Sequence, residues 1–513
     1  MAATANKVAL ATTSQLAADA AAEIADLGGN AVDCAIAAAI CSINTQPGVC
    51  ALAGSAFITI WEAGREPVTI DGNVLIPGLG LPEGTVPVID AVELEYGGGI
   101  KTLVGASSVA VPGTLAALHS ASEKYGLLPW REVLQPTIRA TRDGFPFASA
   151  CHYYLGFAGN AIYSRSDDGH RALHLENGRL REAGSPIVVP HLSDTMSAIA
   201  DEGQRIFYHG EIGRRIAEHV QDRGGLLTMD DLRNYVPEIR KSLLIEVGDW
   251  QIATNPPPAI GGANLAAMLL AFGSEPIEAW DEAAVRRLVR AQQAVMSYRR
   301  KNFDSAEDVA GPIAELLGIA SSDEFLSHWA SGSTVHTSSV DGNGLACSIT
   351  ASSGYGSGEM PADTGLWLNN CLGELELNLH GLAAGPPGKR LPSNMAPGAA
   401  RNDHQVLSFG SPGADRITTA LQQFLVNFIS LGLDLDKAVA HPRLHLILGD
   451  KASKVAVEPG LEVPDMGIPV SRYPNINMYF GGVVATLAGH GGEFAVAADP
   501  RREGGTYIGP DST

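Results

Sequence analysis

The apolar positions of residues 14–26 (Ser-Gln-Leu-Ala-Ala-Asp-Ala-Ala-Ala-Glu-Ile-Ala-Asp) recur at helical spacing and stop at Gly28-Gly29, which predicts a helix. Asn30 then supplies a cap for a second, alanine-rich helix over 31–41. Two short apolar runs, 56–61 (Ala-Phe-Ile-Thr-Ile-Trp) and 67–71, read as paired strands. Further helices are predicted over 114–125, from Trp130 through Arg142, and over 263–272, 418–429 and 433–440, each punctuated by glycine or proline. Thr228 and Asp231 have the spacing of a capping box. The arginine-rich helix over 281–302 reads as a solvated face, and 305–333 as the segment most prone to move.

One stretch stands apart from this background. Small, flexible residues run up to Ser333-Thr334, and Val335-His-Thr-Ser-Ser-Val-Asp341 follows as a β-like segment. Asp341-Gly-Asn-Gly344 is a strong turn signal, and Leu345-Ala-Cys-Ser-Ile-Thr350 is the returning strand. Thr334 therefore opens a hairpin. A hydroxyl is a weak nucleophile unless a base takes its proton. Were the Ser333–Thr334 bond cut, Thr334 would carry its own base, an α-amine with a pKa near roughly 8. An ordinary hairpin of hydroxyl residues has the same local pattern.

Composition narrows the partners. Lys+Arg number 35 against Asp+Glu 56, a formal net charge of −21. Such a field repels nucleic acid and anionic membrane, and leaves a small-molecule substrate as the expected partner. No apolar run is long enough to span a bilayer, and Met1–Lys7 has no cationic region followed by an apolar block, so a cytoplasmic protein is expected. The six cysteines form no Cys-x-x-Cys pair and read as buried free thiols. His441 and His445 are four apart, but Pro442 between them argues against a zinc-binding helix. Tyr96-Gly-Gly-Gly-Ile-Lys-Thr102 lacks the spacing of a phosphate loop. No metal or cofactor is expected.

Thr334-Val-His336-Thr-Ser338-Ser-Val-Asp341 resembles the Thr-x-His-x-Ser-x-Val-Asp segment at the self-cleavage site of the γ-glutamyltransferase family. Other blocks follow in family order: Gly28-Gly-Asn-Ala-Val-Asp33, Asn255-Pro-Pro-Pro258, Leu368-Asn-Asn370, Ser393-Asn-Met-Ala-Pro397 and Gly410-Ser-Pro-Gly413-Ala414. The resemblance implies an α+β fold, the four-layer αββα sandwich of N-terminal nucleophile hydrolases. It also implies a precursor that splits into residues 1–333 and 334–513, which stay together as a heterodimer able to pair further. Thr334 would be the nucleophile, Ser352 would steady its amine, and the Gly413 and Ala414 N–H groups would form the oxyanion hole. Glu374 would grip a γ-glutamyl α-amine, and Ser393 and Asn394 its carboxylate.

Asn73 departs from the pattern: the resemblance implies an arginine there to hold the α-carboxylate, unless another arginine serves. Three functions stay open. The chain acts on γ-glutamyl amides; or it uses the same nucleophile on another donor, such as a carbon–carbon bond in an antibiotic pathway or a short dicarboxylic acyl amide; or it is a non-catalytic homologue. Asn73 and Cys371 favour the second over the first, and retention of Thr334 and Gly413 opposes the third.

Overall fold

The computed structural model describes residues 7–510, apart from 97–98, 274, 304–305, 307, 321–333, 376, 379, 384 and 450–452. Two antiparallel sheets form its centre. The first has seven strands in the order Gly505–Gly509, Val8–Thr12, Val335–Asp341, Ala346–Ser352, Ser55–Trp61, Val68–Gly72 and Glu238–Lys241. The second has six, in the order Phe494–Ala498, Val484–Gly489, Gln405–Gly410, Gly398–Arg401, Trp250–Thr254 and Leu243–Val247. The sheets face each other, and helices cover both outer faces, giving the α+β, αββα sandwich of the N-terminal nucleophile hydrolases.

The outer layers are conventional apolar cores. Helix Ala31–Thr45 lies on the first sheet with every residue buried, and its alanines let it approach closely. It runs four residues past the expected end. Asn30 and Asp33 form a capping box, and Asp33 also accepts from the Leu127 N–H at 2.9 Å. On the other side Gly261–Phe272, Glu282–Asn302 and Arg416–Leu425 share a core with Leu407 and Phe409.

The layer between the sheets is different. Its apolar members are mostly small, Ala9, Ala253, Val340, Ala346 and Ala399 among them, with hydroxyls between them. Ser348 Oγ donates to the Phe409 carbonyl at 2.8 Å, Ser408 Oγ to the Cys347 carbonyl at 2.9 Å, and Thr59 Oγ1 to the Pro397 carbonyl at 3.0 Å. Short side chains bring the sheets together, and each buried hydroxyl must then find a partner across the gap. His336 sits within this layer, its Nδ1 2.7 Å from Thr350 Oγ1 and its Nε2 2.9 Å from Ser338 Oγ. Its ring fills the space above Gly410, where a Cβ would come within 2.1 Å of it.

One expectation needs correction. The 281–302 helix is not a solvated face: Val285, Leu288, Val289, Val295 and Met296 form a buried stripe, and Arg299 is buried with them. The arginines obscured an apolar pattern at helical spacing. Within 305–333, Ala310–Ile319 is a helix, while 321–333 lies outside the described residues. His445 stands on strand Leu444–Leu448, not on a helix face with His441. The cysteines are buried free thiols. No helix of the described residues is long and apolar enough to cross a membrane.

Burial pushes the His336 imidazole down to about 3, whereas in an unfolded chain it titrates near roughly 6.5. As pH falls through that window only the unfolded state gains this proton, so the associated stability, complete above the unfolded value, is lost toward the folded one. The expected slope from this residue is about 1.4 kcal/mol per pH unit. Urea melts from pH 7 to 4 would show that slope, and a His336→Gln chain, unable to take up the proton, should lack it.

Candidate active site

Thr334 stands immediately before strand Val335–Asp341, in the middle of the first sheet, and is 2% exposed. The returning strand pairs Val335 with Ala351, so the register carries Thr334 beside Ser352. Asp341 closes the far end of the hairpin, its Oδ1 accepting from the Asn343 and Leu345 N–H groups at 2.9 and 3.2 Å. Ser352 is held from its other side by Ser55, whose Oγ donates to the Ser352 carbonyl at 3.2 Å. Gly54 passes so close that a Cβ would lie 2.4 Å from the same carbonyl oxygen.

Thr334 and Ser352 line a cavity of about 30 Å³, together with Ser55, Asn73, Glu374, Ser393, Asn394 and Ala414. Seven of the residues singled out from sequence thus meet in one place, drawn from positions 73 to 414. The eighth, Gly413, is the chain neighbour of Ala414. Ser333 lies outside the described residues.

Glu374 reaches the cavity through two buried amides. Asn369 Nδ2 donates to the Ala53 and Ala110 carbonyls, each at 2.9 Å. Asn370 Oδ1 accepts from the Tyr355 N–H at 2.7 Å, and its Nδ2 donates to the Leu103 carbonyl at 2.9 Å. This double clamp holds a loop that has little regular structure of its own. Glu374 Oε2 lies against Gly354, where a Cβ would come within 2.9 Å of it, and Gly354 has φ +65°. Burial, with Glu374 nearby, pushes the Cys371 thiol well above its ordinary value, so it stays protonated.

The opposite wall is the turn Ser411-Pro412-Gly413-Ala414. Gly413 has φ +127° and Ala414 φ +76°. A Cβ on Gly413 would lie 2.7 Å from Gly481 Cα. Ser411 Oγ accepts from the Gly482 N–H at 3.0 Å, tying the turn to the segment that leads into strand Val484–Gly489. Among the described residues neither the Gly413 nor the Ala414 N–H donates to another group. Helix Arg416–Leu425 starts directly behind, so its N-terminal dipole adds positive potential to the same corner. Asp415 behind the turn is 3.0 Å from His445 Nε2 and also pairs with Arg416. Burial alone would raise its pKa, but those two neighbours outweigh it and hold the carboxylate well below its usual range.

Asn73 is neutral, and its amide is anchored at one N–H. Its Nδ2 donates to the Leu391 carbonyl at 2.6 Å, and its own carbonyl accepts from Tyr235 Oη at 2.7 Å. Two arginines lie behind the wall, and neither was singled out from sequence. Arg390 donates to the Asn73 carbonyl at 3.0 Å and stands 3.3 Å from Asp71. Arg299 donates to Asn394 Oδ1 at 2.8 Å, turning the amide's N–H₂ end away from itself. Position in an arginine-rich helix hid Arg299; only its phase on the buried stripe could have marked it.

The family model described as Gamma-glutamyltranspeptidase matches residues 17–509. The chain is 27% identical to the glutathione hydrolase proenzyme of Escherichia coli, over 92% of this chain and 87% of that one. It is 29% identical to the Acylase ACY 1 proenzyme of a Pseudomonas species, over 86% and 83%. Among solved structures, cephalosporin acylase from Bacillus halodurans superposes with a TM-score of 0.79 at 24% identity, over 98% of this chain and 96% of that one.

The turn yields a prediction. Gly413→Ala combines a forbidden φ with a clash against backbone, which together cost roughly 2–4 kcal/mol. Ala414→Gly relieves left-handed strain while adding unfolded-state entropy, and should change stability by less than about 1 kcal/mol. Urea midpoints of the two variants would separate these outcomes.

Proposed function

Because the chain belongs to the gamma-glutamyltranspeptidase family of hydrolases and acyltransferases, we propose that it is a self-processing enzyme with Thr334 as its N-terminal nucleophile. In the precursor, Thr334 Oγ1 attacks the Ser333 carbonyl carbon. The peptide nitrogen leaves as the Thr334 α-amine, and an ester forms. Water hydrolyses that ester, which frees the Ser333 carboxylate and restores the hydroxyl. In the mature enzyme the same oxygen attacks the donor's acyl carbon. The α-amine takes the hydroxyl proton and passes it to the leaving group. Water or an amine then accepts the acyl group.

The observation that carries this reading is the convergence on one cavity of Thr334 with Ser352, Glu374 and the Ala414 turn. Ser352, next to Thr334 in the ladder, steadies the new amine. The uncommitted N–H groups of Gly413 and Ala414 form the oxyanion hole, where one donor is worth about 3 kcal/mol. Glu374, Ser393, Asn394 and Asn73 bind the acyl donor. The products, 1–333 and 334–513, would remain a heterodimer for a topological reason. Strands Val8–Thr12 and Ser55–Trp61 flank the Val335–Ser352 hairpin, and Trp250–Thr254 pairs with Gly398–Arg401, so each sheet draws strands from both pieces.

A second substrate reading within this mechanism is favoured by Asn73. A charge-assisted, two-pronged carboxylate contact is roughly twice as strong as a neutral one. With an amide at this position, a plain γ-glutamyl donor binds weakly, and a different acyl amide is the better substrate.

Wild-type protein should run as two chains on a denaturing gel, the smaller beginning at Thr334 by mass spectrometry. Thr334→Ala should remain one chain, and Thr334→Ser should still split, more slowly. A Thr334→Ala protein that splits would rule the mechanism out.

A further inference from the structure

We propose a second ligand site, for a small oxyanion or carboxylate, in the cleft between Arg502 and the start of helix Gln15–Asp26. The cleft is a cavity of about 260 Å³, close to the lower end of ligand pockets at roughly 300 Å³. Residues 13–16 and 146–150, with Arg502 and Glu503, supply much of its lining, and it shares no lining residue with the Thr334 cavity.

Three features of the cleft favour a negative ligand. Helix Gln15–Asp26 has no acidic residue in its first turn, and Ser14 makes no side-chain cap, so its leading N–H groups and its dipole face the cleft unmet. Thr13 is 6% exposed, and its Oγ1 is buried with no hydrogen-bond partner among the described residues. A buried hydroxyl ordinarily has one. Arg502 is partly buried, and among the described residues its Nε has no acceptor and no carboxylate pairs with its guanidinium. In a chain with Asp+Glu 56 against Lys+Arg 35, such an arginine calls for a partner from outside. Burial pulls its pKa below the usual guanidinium value, a penalty that a bound anion offsets.

The acids nearby are committed elsewhere. Asp499 pairs with Arg443 at 2.7 Å and with Arg501 at 3.0 Å. Glu503, exposed at the cleft, accepts from the Ser149 N–H at 3.2 Å and so caps helix Ser149–Ala158. The cleft also lies at the Thr334 end of the first sheet. Thr12 pairs with Thr337, so the chain beyond Thr12 leaves the ladder toward the level of Thr334, with neighbouring strands roughly 5 Å apart. Arg502 Cδ lies 2.6 Å from where a Cβ on Gly482 would fall, and the Gly482 N–H binds Ser411 at the start of the Gly413 turn. Two sources share the required chemistry. One is a free inorganic anion; the other is a carboxylate on the amine half of the substrate, which rests on the reading of Thr334 as the nucleophile.

Calorimetric titration of the purified protein in chloride buffer tests the site with three probes: inorganic phosphate, 5-amino-2-nitrobenzoate and the uncharged 4-nitroaniline. At least one of the two anions should bind saturably, with one site per chain, and 4-nitroaniline should not. Arg502→Gln should weaken that binding roughly tenfold or more, Arg502→Lys less, and the shape-preserving Thr13→Val about threefold. The γ-glutamyl amides of the two nitroanilines then separate the sources. For a carboxylate on the substrate, the nitrobenzoate donor has the higher kcat/KM, phosphate competes with it, and Arg502→Gln makes the two donors equal. For a free anion, phosphate binds and the two donors turn over alike. Should neither donor turn over, the tighter of the two anions names the source. Absence of saturable anion binding, or binding that Arg502→Gln and Thr13→Val leave unchanged, overturns this inference and leaves self-cleavage standing. A chain that never splits yet binds an anion through Arg502 removes the nucleophile and keeps this site.

Discussion

The antiparallel ladder between Val335–Asp341 and its two neighbours is the constraint from which the rest of the structure follows. Residues Val335–Val340 pair with one neighbour and Thr337–Asp341 with the other, so the position of the residue that precedes them is set by the ladder. That residue is Thr334. The same ladder sets Ser352 beside it and turns His336, Ser338 and Ser348 into the gap between the sheets. A shift by one residue would send these hydroxyls to the helical face and bring apolar side chains into the polar layer. The register that supports the site therefore also satisfies the core.

Around that ladder, the site is built by restraint of backbone that has no regular structure. The Glu374 loop has no strand or long helix to fix it, and the two amides of Asn369 and Asn370 do the work instead, bonding to Ala53, Ala110, Leu103 and Tyr355. The Gly413–Ala414 turn is fixed by steric exclusion against Gly481 and by Ser411. Ala414 accepts a left-handed backbone that glycine would adopt freely, at a cost of order 1–2 kcal/mol. The tight sheet-to-helix connection overrides that local preference, and among the described residues the Gly413 and Ala414 N–H groups have no acceptor.

Electrostatics is arranged in depth. Asp415 and Arg416 neutralise each other behind the turn, with His445 Nε2 3.0 Å from the Asp415 carboxylate. Asp71 and Glu238 are likewise balanced by Arg240 and Arg390 behind Asn73. Among the described residues that line the cavity, Glu374 is the charged side chain, beside hydroxyls and amides. Carriers of positive charge are close by, but they are consumed as structural partners.

Local signals made much of this legible from sequence. Gly28 with φ +88°, the Asn30 box, the Asp341–Gly344 turn and the start of the strand after Thr334 all follow from backbone rules acting over a few residues. The set of cavity residues was legible only through resemblance, because no spacing rule links position 73 to 374 or 414. Tertiary structure decided the remainder. Arg299 is buried because its phase on the helix falls on the buried stripe, where it reaches Asn394, although the helix's composition suggested a solvated face. The need for glycine at 413 is decided by Gly481, 68 residues away in the chain, whose Cα leaves no room for a Cβ. Whether a guanidinium faces the cavity or stands behind an amide depends on which carboxylates lie nearer to it. Hydrogen bonds within one turn are written in adjacent residues, whereas burial and charge pairing depend on the stacking of two sheets assembled from distant parts of the chain.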